Sequence, residues 1–322
     1  MSAPLAILGI EYPENIKSIS AWRAVFKAAK KRVKTPADVD VIVQELGIDR
    51  IGEMARFGTY LRPNIAVISG ITPEHMEFFG SIETVAQEEL TAANFSQVAI
   101  INRDDNDGRF ARFLTNQAID TYGTTSAAEY RFEIQDFTIE NGYKGSLIAP
   151  EFNETVSAQV NIIGEHSLRA VMAAVAVAVK LGLSPLDIAA GVAKIRPVSG
   201  RMNVLRGVQN SILIDDTYNS SPAAASAALQ TLYSLQAPQR IAILGSMNEL
   251  GASSAMEHEA LGHLCDPSLL AWVVTIGDEA EKYLAPAARA RGCQVKSCHS
   301  ALDAGGFGHG VIEQAAIILA KG

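Results

Sequence analysis

The sequence of 322 residues has few cysteines, few aromatic residues and no long apolar run. Its three cysteines, at positions 265, 293 and 298, have spacings that match neither a disulfide framework nor a paired zinc motif, so we expect reduced thiols. The longest apolar stretch, residues 170–179, is about half the length that spans a bilayer. The N-terminus lacks the basic and apolar regions of a signal peptide. The sequence therefore predicts a cytoplasmic protein without a membrane partner.

Several catalytic motifs are also absent. No Gly-x-x-x-x-Gly-Lys-Ser/Thr phosphate loop occurs, and no Gly-Lys pair occurs anywhere. The Gly-x-Ser-x-Gly and His-Glu-x-x-His motifs are missing, which argues against serine hydrolases and zincins. No Gly-x-Gly-x-x-Gly turn follows the first strand, which argues against a nicotinamide-dependent dehydrogenase. The 35 acidic residues outnumber the 27 basic ones, and this excess argues against a nucleic-acid partner.

Apolar periodicity predicts an α/β domain in the first part of the chain, over residues 1–198. Helical spacing over 14–33 is followed by short β-branched runs at 39–43 and 65–68, which are typical of a parallel sheet. Alternating apolar residues over 130–160 predict an antiparallel flap on that sheet.

A second α/β domain is predicted over residues 199–322. It follows a Pro-Val-Ser-Gly break at 197–200, after which strands and helices alternate again, as in a doubly wound parallel sheet. The glycine-rich stretch 305–310 predicts a flexible loop, and a short helix is predicted at 311–315, before a last strand at 317–319.

Paired aspartates follow a strand of the second domain. Asp215 and Asp216 lie where ligands bind in open α/β sheets, and such carboxylates can hold ribose hydroxyls, an amine or a metal-bound water. The alternative is a helix start, with Asn219 or Ser221 as the cap and the aspartates solvated.

Two side chains of the first domain predict a cation site by the same argument. Glu45 and His75 each follow a predicted strand and could hold a divalent cation together, although either could equally be a surface residue. His166 starts a predicted helix, where it could contact a ligand or only a backbone carbonyl.

Six segments, taken in order, resemble the Mur ligases. They are Gln44-Glu-Leu-Gly47, Pro73-Glu-His-Met-Glu-Phe-Phe-Gly-Ser81, Asn102-Arg-Asp-Asp105, Gly200-Arg-Met202, Asp215-Asp-Thr-Tyr-Asn-Ser-Ser-Pro222, and Leu244-Gly-Ser-Met-Asn-Glu-Leu-Gly251 with the later His258. The resemblance implies a central ATPase-type domain, with a mostly parallel sheet and a small antiparallel flap, and a C-terminal Rossmann-like domain. It also implies a monomer that uses ATP and Mg²⁺.

Within the family, the segments resemble the ligases of peptidoglycan precursor synthesis that add D-Ala-D-Ala to UDP-MurNAc-tripeptide through an acyl phosphate. The resemblance implies the following roles. Metal ligands would be Glu45 and His75; nucleotide contacts would be Asn102, His166, Ser167, Arg201 and Asp216; catalytic residues would be Glu89, Asn219 and His258.

Departures from the family pattern leave two interpretations open. Glu89 stands where the family carries a carbamoylated lysine, and it could keep the negative charge or be a solvated helix residue. Ala170 and Ser246 replace an asparagine and an aspartate, and the family's phosphate loop and UDP-sugar domain would precede Pro4. We therefore expect a ligase fragment that is inactive alone. The alternative is a non-catalytic binding or scaffolding module of Mur-ligase type.

Overall fold

The computed structural model describes residues 3–36, 38–73 and 76–322. It divides into two compact units, Met1–Asp49 and Arg50–Gly322. Among the described residues, no helix combines the length and the apolar character that crossing a bilayer requires.

The first unit contains two helices, α1 (Ala3–Ile7) and α2 (Ile19–Val33). The Ser18 side chain caps α2 by accepting a hydrogen bond from the Ala21 N–H at 3.2 Å. The predicted helix over 14–33 is thus confirmed, but it begins at the cap rather than at its first apolar residues.

The strand predicted at 39–43 is wrong. These residues have no regular secondary structure, and the side chain of Val43 is 91% exposed. A β-branched apolar run has the composition of a buried strand, but a strand forms only where its backbone groups find a neighbouring strand. The composition of residues 39–43 alone does not show whether such a neighbouring strand is present.

The second unit begins with a six-stranded sheet in the order β1 to β6. Its strands are β1 (Ile65–Ile68), β2 (Val98–Asn102), β3 (Ile119–Gly123), β4 (Tyr130–Thr138), β5 (Gly142–Ile148) and β6 (Val156–Val160). Strands β1 to β4 are parallel and β4 to β6 antiparallel, which confirms the mostly parallel sheet with an antiparallel flap. Strand β3 was not predicted.

Five helices accompany this sheet: α3 (Glu53–Phe57), α4 (Met76–Phe79), α5 (Ile82–Asn94), α6 (Ser167–Lys180) and α7 (Pro185–Val192). The apolar face of α6 packs on the sheet, where Met172 and Val175 join a buried cluster with Ile100, Tyr122 and Leu147. This packing fixes the N-terminus of α6 near the carboxyl ends of β2 and β3.

The second sheet has the strand order β11-β10-β9-β12-β8-β7. Its strands are β7 (Asn203–Arg206), β8 (Ile212–Asp216), β9 (Arg240–Gly245), β10 (Trp272–Ile276), β11 (Val295–Cys298) and β12 (Ile317–Lys321). Its helices are α8 (Pro222–Ser234), α9 (Ser254–Leu264), α10 (Ala285–Ala290) and α11 (Ala301–Val311). All pairs are parallel except β7 with β8, which confirms the doubly wound fold.

Helix α11 corrects two predictions. The glycine-rich stretch 305–310 lies inside α11, and the helix predicted at 311–315 does not form, because α11 ends at Val311. Ser300 starts α11 by accepting a hydrogen bond from the Asp303 N–H at 3.1 Å, and the Phe307 ring packs edge-on against Trp272 at 4.9 Å. Capping and packing together outweigh the low helix propensity of glycine.

Candidate functional site

The two aspartates at the end of β8 hold the chain segment that precedes β7. Asp215 Oδ2 accepts a hydrogen bond from the Gly200 N–H at 3.0 Å, and Asp216 Oδ1 accepts one from the Met202 N–H at 3.1 Å. Both carboxylates therefore bind backbone amides, which differs from the alternative of solvated aspartates beside a helix cap.

Arg201 lies between these two anchored residues. Its guanidinium group stacks over the Tyr218 ring at 4.1 Å from the ring centre, and both side chains are exposed. The Tyr218 N–H donates to the Gly200 carbonyl at 3.1 Å, and Gly200 has a φ of +74°. A Cβ at Gly200 would lie 3.2 Å from the Tyr218 backbone, so glycine lets the two segments approach.

Lys321, at the end of β12, completes this cluster and was missed by the sequence analysis. Its Nζ lies 3.0 Å from Asp216 Oδ2 and also donates to the carbonyls of Asp216 and Asn219. The Lys321 and Asp216 side chains are 4% and 9% exposed. The available sequence signal was a lysine at the end of an apolar strand. The pairing of β12 with β8, which sets Lys321 beside Asp216, is seen only in the structure.

Asn219 and Ser220 form the loop that leads into α8. The Asn219 side chain is exposed, and its Oδ1 accepts from the Ser220 N–H at 2.8 Å. The Ser220 Oγ is buried and has no hydrogen-bond partner within the described residues. An unpaired buried hydroxyl is costly without a ligand, so this loop has the chemistry to accept a polar group.

His166 and Ser167 lie at the N-terminus of α6, facing the same cluster. The Ser167 N–H donates to the Gly164 carbonyl at 2.9 Å. Burial lowers the pKa of His166, and the nearby Asp216 carboxylate opposes that effect only in part. His166 is therefore predominantly neutral at pH 7 and can both donate and accept a hydrogen bond.

Asn102 organises the turn after β2. Its Nδ2 donates to Asp105 Oδ2 at 2.6 Å, and its Oδ1 accepts from the Asp104 N–H at 2.9 Å. Arg169 on α6 contacts both acids, with Nη1 2.7 Å from Asp105 Oδ1 and Nε 3.4 Å from Asp104 Oδ2. Burial acts to raise the pKa of Asp104, but hydrogen bonds from Thr124 and the nearby Arg169 outweigh it and lower that pKa.

Asn102 is also only 1% exposed, and its side chain binds neighbouring protein groups. Its predicted contact with the nucleotide stays a prediction. Arg169 was not predicted. It links α6 to the turn after β2, and its charge also acts on the half-buried His166.

His258 on α9 is fully buried. Its Nε2 accepts from the Met247 N–H at 2.9 Å, and its Nδ1 lies 2.8 Å from the Ser254 carbonyl. Because a carbonyl only accepts, Nδ1 must carry the proton. Both ring nitrogens thus bind backbone groups, and the predicted catalytic role of His258 stays a prediction.

The magnesium pair Glu45 and His75 stays a prediction. Glu45 is exposed in the first unit, and His75 lies outside the described residues. Glu89 is half-buried on α5 and has a partner, while Oε2 of the adjacent Glu88 is buried with no hydrogen-bond partner among the residues that the structure describes. Across 3–36, 38–73 and 76–322, no three His, Cys, Asp or Glu side chains cluster as a metal site.

Family comparisons match nearly the whole chain. The Mur ligase middle domain matches residues 13–178, and the domain described as Mur ligase, glutamate ligase domain matches residues 200–322. The chain belongs to the Mur ligase family.

Related sequences and solved structures agree with that membership. The UDP-N-acetylmuramoyl-tripeptide–D-alanyl-D-alanine ligase of Escherichia coli is 28% identical over 254 residues, covering 76% of this chain and 54% of the relative. The enzyme of that name from Haemophilus influenzae is 30% identical over 248 residues, covering 74% and 51%. This Mur ligase chain thus spans about half the length of these relatives.

Two solved structures share its fold. MurF from Acinetobacter baumannii matches with a TM-score of 0.77 and 24% identity, covering 91% of this chain and 64% of that one. MurF from Thermotoga maritima in complex with ADP matches with a TM-score of 0.70 and 21% identity, covering 85% and 61%.

Proposed function

We propose that the chain carries the middle and C-terminal domains of an ATP- and Mg²⁺-dependent ligase that adds D-alanyl-D-alanine to UDP-MurNAc-tripeptide. The family membership supports the reaction class, and the relatives' names supply the substrates. The observation that carries the proposal is the cluster in which Asp216 and Lys321 lie near His166 at the N-terminus of α6, with Arg201 and Asn219 in the adjoining segments.

In this reaction, ATP with Mg²⁺ supplies the phosphoryl group that activates the tripeptide carboxylate. The carboxylate displaces ADP, and the amine then displaces phosphate and loses a proton. Arg201, whose exposed guanidinium is held by the Tyr218 ring, would contact nucleotide phosphates. Neutral His166 would contact the nucleotide from α6, and the Asn219 loop would face the acceptor.

Glu45 and His75 belong to the proposal as the ligands of Mg²⁺, because a carboxylate and an imidazole can hold a divalent cation against phosphate oxygens. Glu89 belongs to it as the catalytic carboxylate that would keep the negative charge of the family's carbamoylated lysine. The chain has no phosphate-loop motif, so we expect these 322 residues alone to bind nucleotide without turning it over.

Calorimetry with MgADP tests the nucleotide assignment. We expect saturable binding, weakened about ten- to a hundredfold by Arg201→Ala, since a hydrogen bond to a charged group contributes about 1.5–3 kcal/mol. Arg206→Ala is the matched control, because Arg206 is an exposed cation on β7 in the same part of the sheet. Equal affinities for the two variants, or no saturable binding, would contradict the assignment.

A phosphate-release assay with MgATP, UDP-MurNAc-tripeptide and D-Ala-D-Ala tests the expected inactivity of this chain. Turnover above background by purified protein would overturn that part of the proposal.

A non-catalytic module of Mur-ligase type is the second candidate, and two replaced residues favour it. Ala170, in place of an asparagine, has no polar side chain, and the Oγ of Ser246, in place of an aspartate, accepts a hydrogen bond from the Ala280 N–H at 3.1 Å. This candidate predicts that the chain binds UDP-MurNAc-tripeptide or D-Ala-D-Ala in calorimetry but gives no saturable MgADP binding.

A further inference from the structure

Helix α2 carries a concentration of positive charge that the overall composition hides. Residues 17–34 contain seven lysines and arginines and no carboxylate, so the rest of this chain, with its formal charge of −8, has a charge of −15. Of the seven cations, Arg32 pairs with Asp38. A basic segment in an acidic protein indicates a local partner with negative charge.

The same helix exposes an apolar stripe. Ile19, Phe26 and Val33 are 72%, 61% and 72% exposed, and they follow one another at seven-residue spacing. Seven residues bring a helix back to within about 20° of the same direction, so the three side chains line one face. Of the residues in α2, only Val25 is buried.

Cations border this stripe directly. Arg23 and Lys30 follow Ile19 and Phe26 by four residues, which places them beside the stripe, with Lys27 next round the helix. On the other border, the Trp22 ring packs against Phe26 at 5.9 Å and its Nε1 donates to the Ile16 carbonyl at 2.8 Å. An apolar stripe with an aromatic border and a cationic border is the arrangement of helices that lie in a membrane interface.

In contrast to the expectation from composition of no membrane partner, we propose that α2 binds the surface of an anionic lipid membrane, with Ile19, Phe26 and Val33 entering the headgroup region and the flanking cations contacting lipid phosphates. The inference does not depend on the ligase proposal. A second copy of the chain fits this face less well, because two such stripes would bring Arg23 and Lys30 against their own copies. Nucleic acid would pair with the cations but leave the apolar stripe in water.

Vesicle co-sedimentation of the full chain tests the proposal. We expect binding to phosphatidylcholine vesicles that contain about one third phosphatidylglycerol, little binding to pure phosphatidylcholine, and release by high salt. Lys27→Gln/Lys30→Gln/Lys31→Gln should weaken the partition constant about a hundredfold, since each cation near an anionic surface contributes about fivefold.

Matched variants distinguish membrane binding by the α2 face from binding that depends only on the net charge of the protein. Lys144→Gln/Arg289→Gln/Lys296→Gln changes the net charge equally at exposed sites outside α2 and should leave binding within about twofold. Ile19→Ser/Phe26→Ser should reduce binding at least tenfold. Val43→Ser, at a residue that is 91% exposed outside α2, should not reduce it.

Tryptophan fluorescence gives a direct readout of insertion. The chain has two tryptophans, so Trp272→Phe leaves Trp22 as the single probe, and its emission should shift to the blue with anionic vesicles. Trp22→Phe, which keeps Trp272 on β10, should show no shift, and this reciprocal variant also covers a failure of Trp272→Phe to fold.

The proposal is overturned if the wild-type chain does not sediment with anionic vesicles, or if the two triple variants bind equally. It is also overturned if the α2 substitutions abolish self-association or polynucleotide binding while vesicle binding is absent.

Discussion

Lys321 and Asp216 form an ion pair that is almost wholly shielded from water. We expect Lys321→Met to lower the free energy of unfolding by about 3–5 kcal/mol, because it leaves a buried carboxylate without its cation. Lys321→Met/Asp216→Asn should recover most of that loss, since no buried charge remains. Urea unfolding measures both.

Lys296→Met on β11 is the control for this prediction, because Lys296 is exposed. It should change the free energy of unfolding by no more than about 0.5 kcal/mol. A loss in Lys321→Met as small as in Lys296→Met would contradict the account of the ion pair.

His166 should make stability depend on pH. Its pKa in the folded protein lies below the ordinary value, mainly because of burial, so the unfolded chain binds the proton more tightly. The resulting stabilisation is complete above the unfolded pKa of about 6.5 and is lost as the pH falls toward the lower folded value.

We therefore expect wild-type protein to lose more unfolding free energy than His166→Gln between neutral and mildly acidic pH. His299→Gln, at an exposed histidine, should follow the wild type. Parallel profiles for wild type and His166→Gln would show that His166 does not carry this dependence.

Some residues of the candidate site were predictable from the sequence and others were not. Asp215 and Asp216 stand at the end of a strand, a position that local pattern identifies. Lys321, however, lies more than a hundred residues along the chain from its partner Asp216. Arg169 lies more than sixty residues from its partner Asp105. Which distant residue meets a carboxylate depends on strand order and register, which one sequence does not specify.

Two serines that each precede a proline at the start of a helix differ in whether their side chain caps that helix. Ser184, before α7, accepts a hydrogen bond from the Asp187 N–H at 3.2 Å, whereas the Ser221 side chain, before α8, makes no capping hydrogen bond. We expect Ser184→Ala to cost about 1 kcal/mol of stability and Ser221→Ala much less. Thermal unfolding of the two variants checks the difference, and equal losses would contradict it.

Elements with one clear signal were predicted well, and elements that depend on neighbours were not. The strand at Ile65–Ile68 and most of helix α2 match their predictions, because an apolar run and helical spacing are local signals. Two predictions were wrong. Residues 39–43 have the composition of a strand but no neighbouring strand to pair with, and α11 is helical despite its glycines.

The chain as a whole has separate apolar cores under its two sheets. One core gathers buried residues between Ile100 and Val192, and the core around β8, β9 and β12 draws on residues from Met202 to Leu319. Within the described residues, three side chains from before the predicted boundary at 198/199 join the second core: the buried Ile163 and the partly buried Phe137 and Ile139. Few apolar contacts therefore tie the second sheet to the first.

This separation predicts that residues 199–322 fold alone. The expressed segment should give a mixed α/β circular dichroism spectrum and one cooperative thermal transition, since its core takes only Ile163 and the partly buried Phe137 and Ile139 from outside. Ile163→Ala in the full chain should then cost no more than about 2–5 kcal/mol, the usual range for a buried isoleucine. A segment without a cooperative transition would place the boundary elsewhere, because the second sheet would then require the first for its stability.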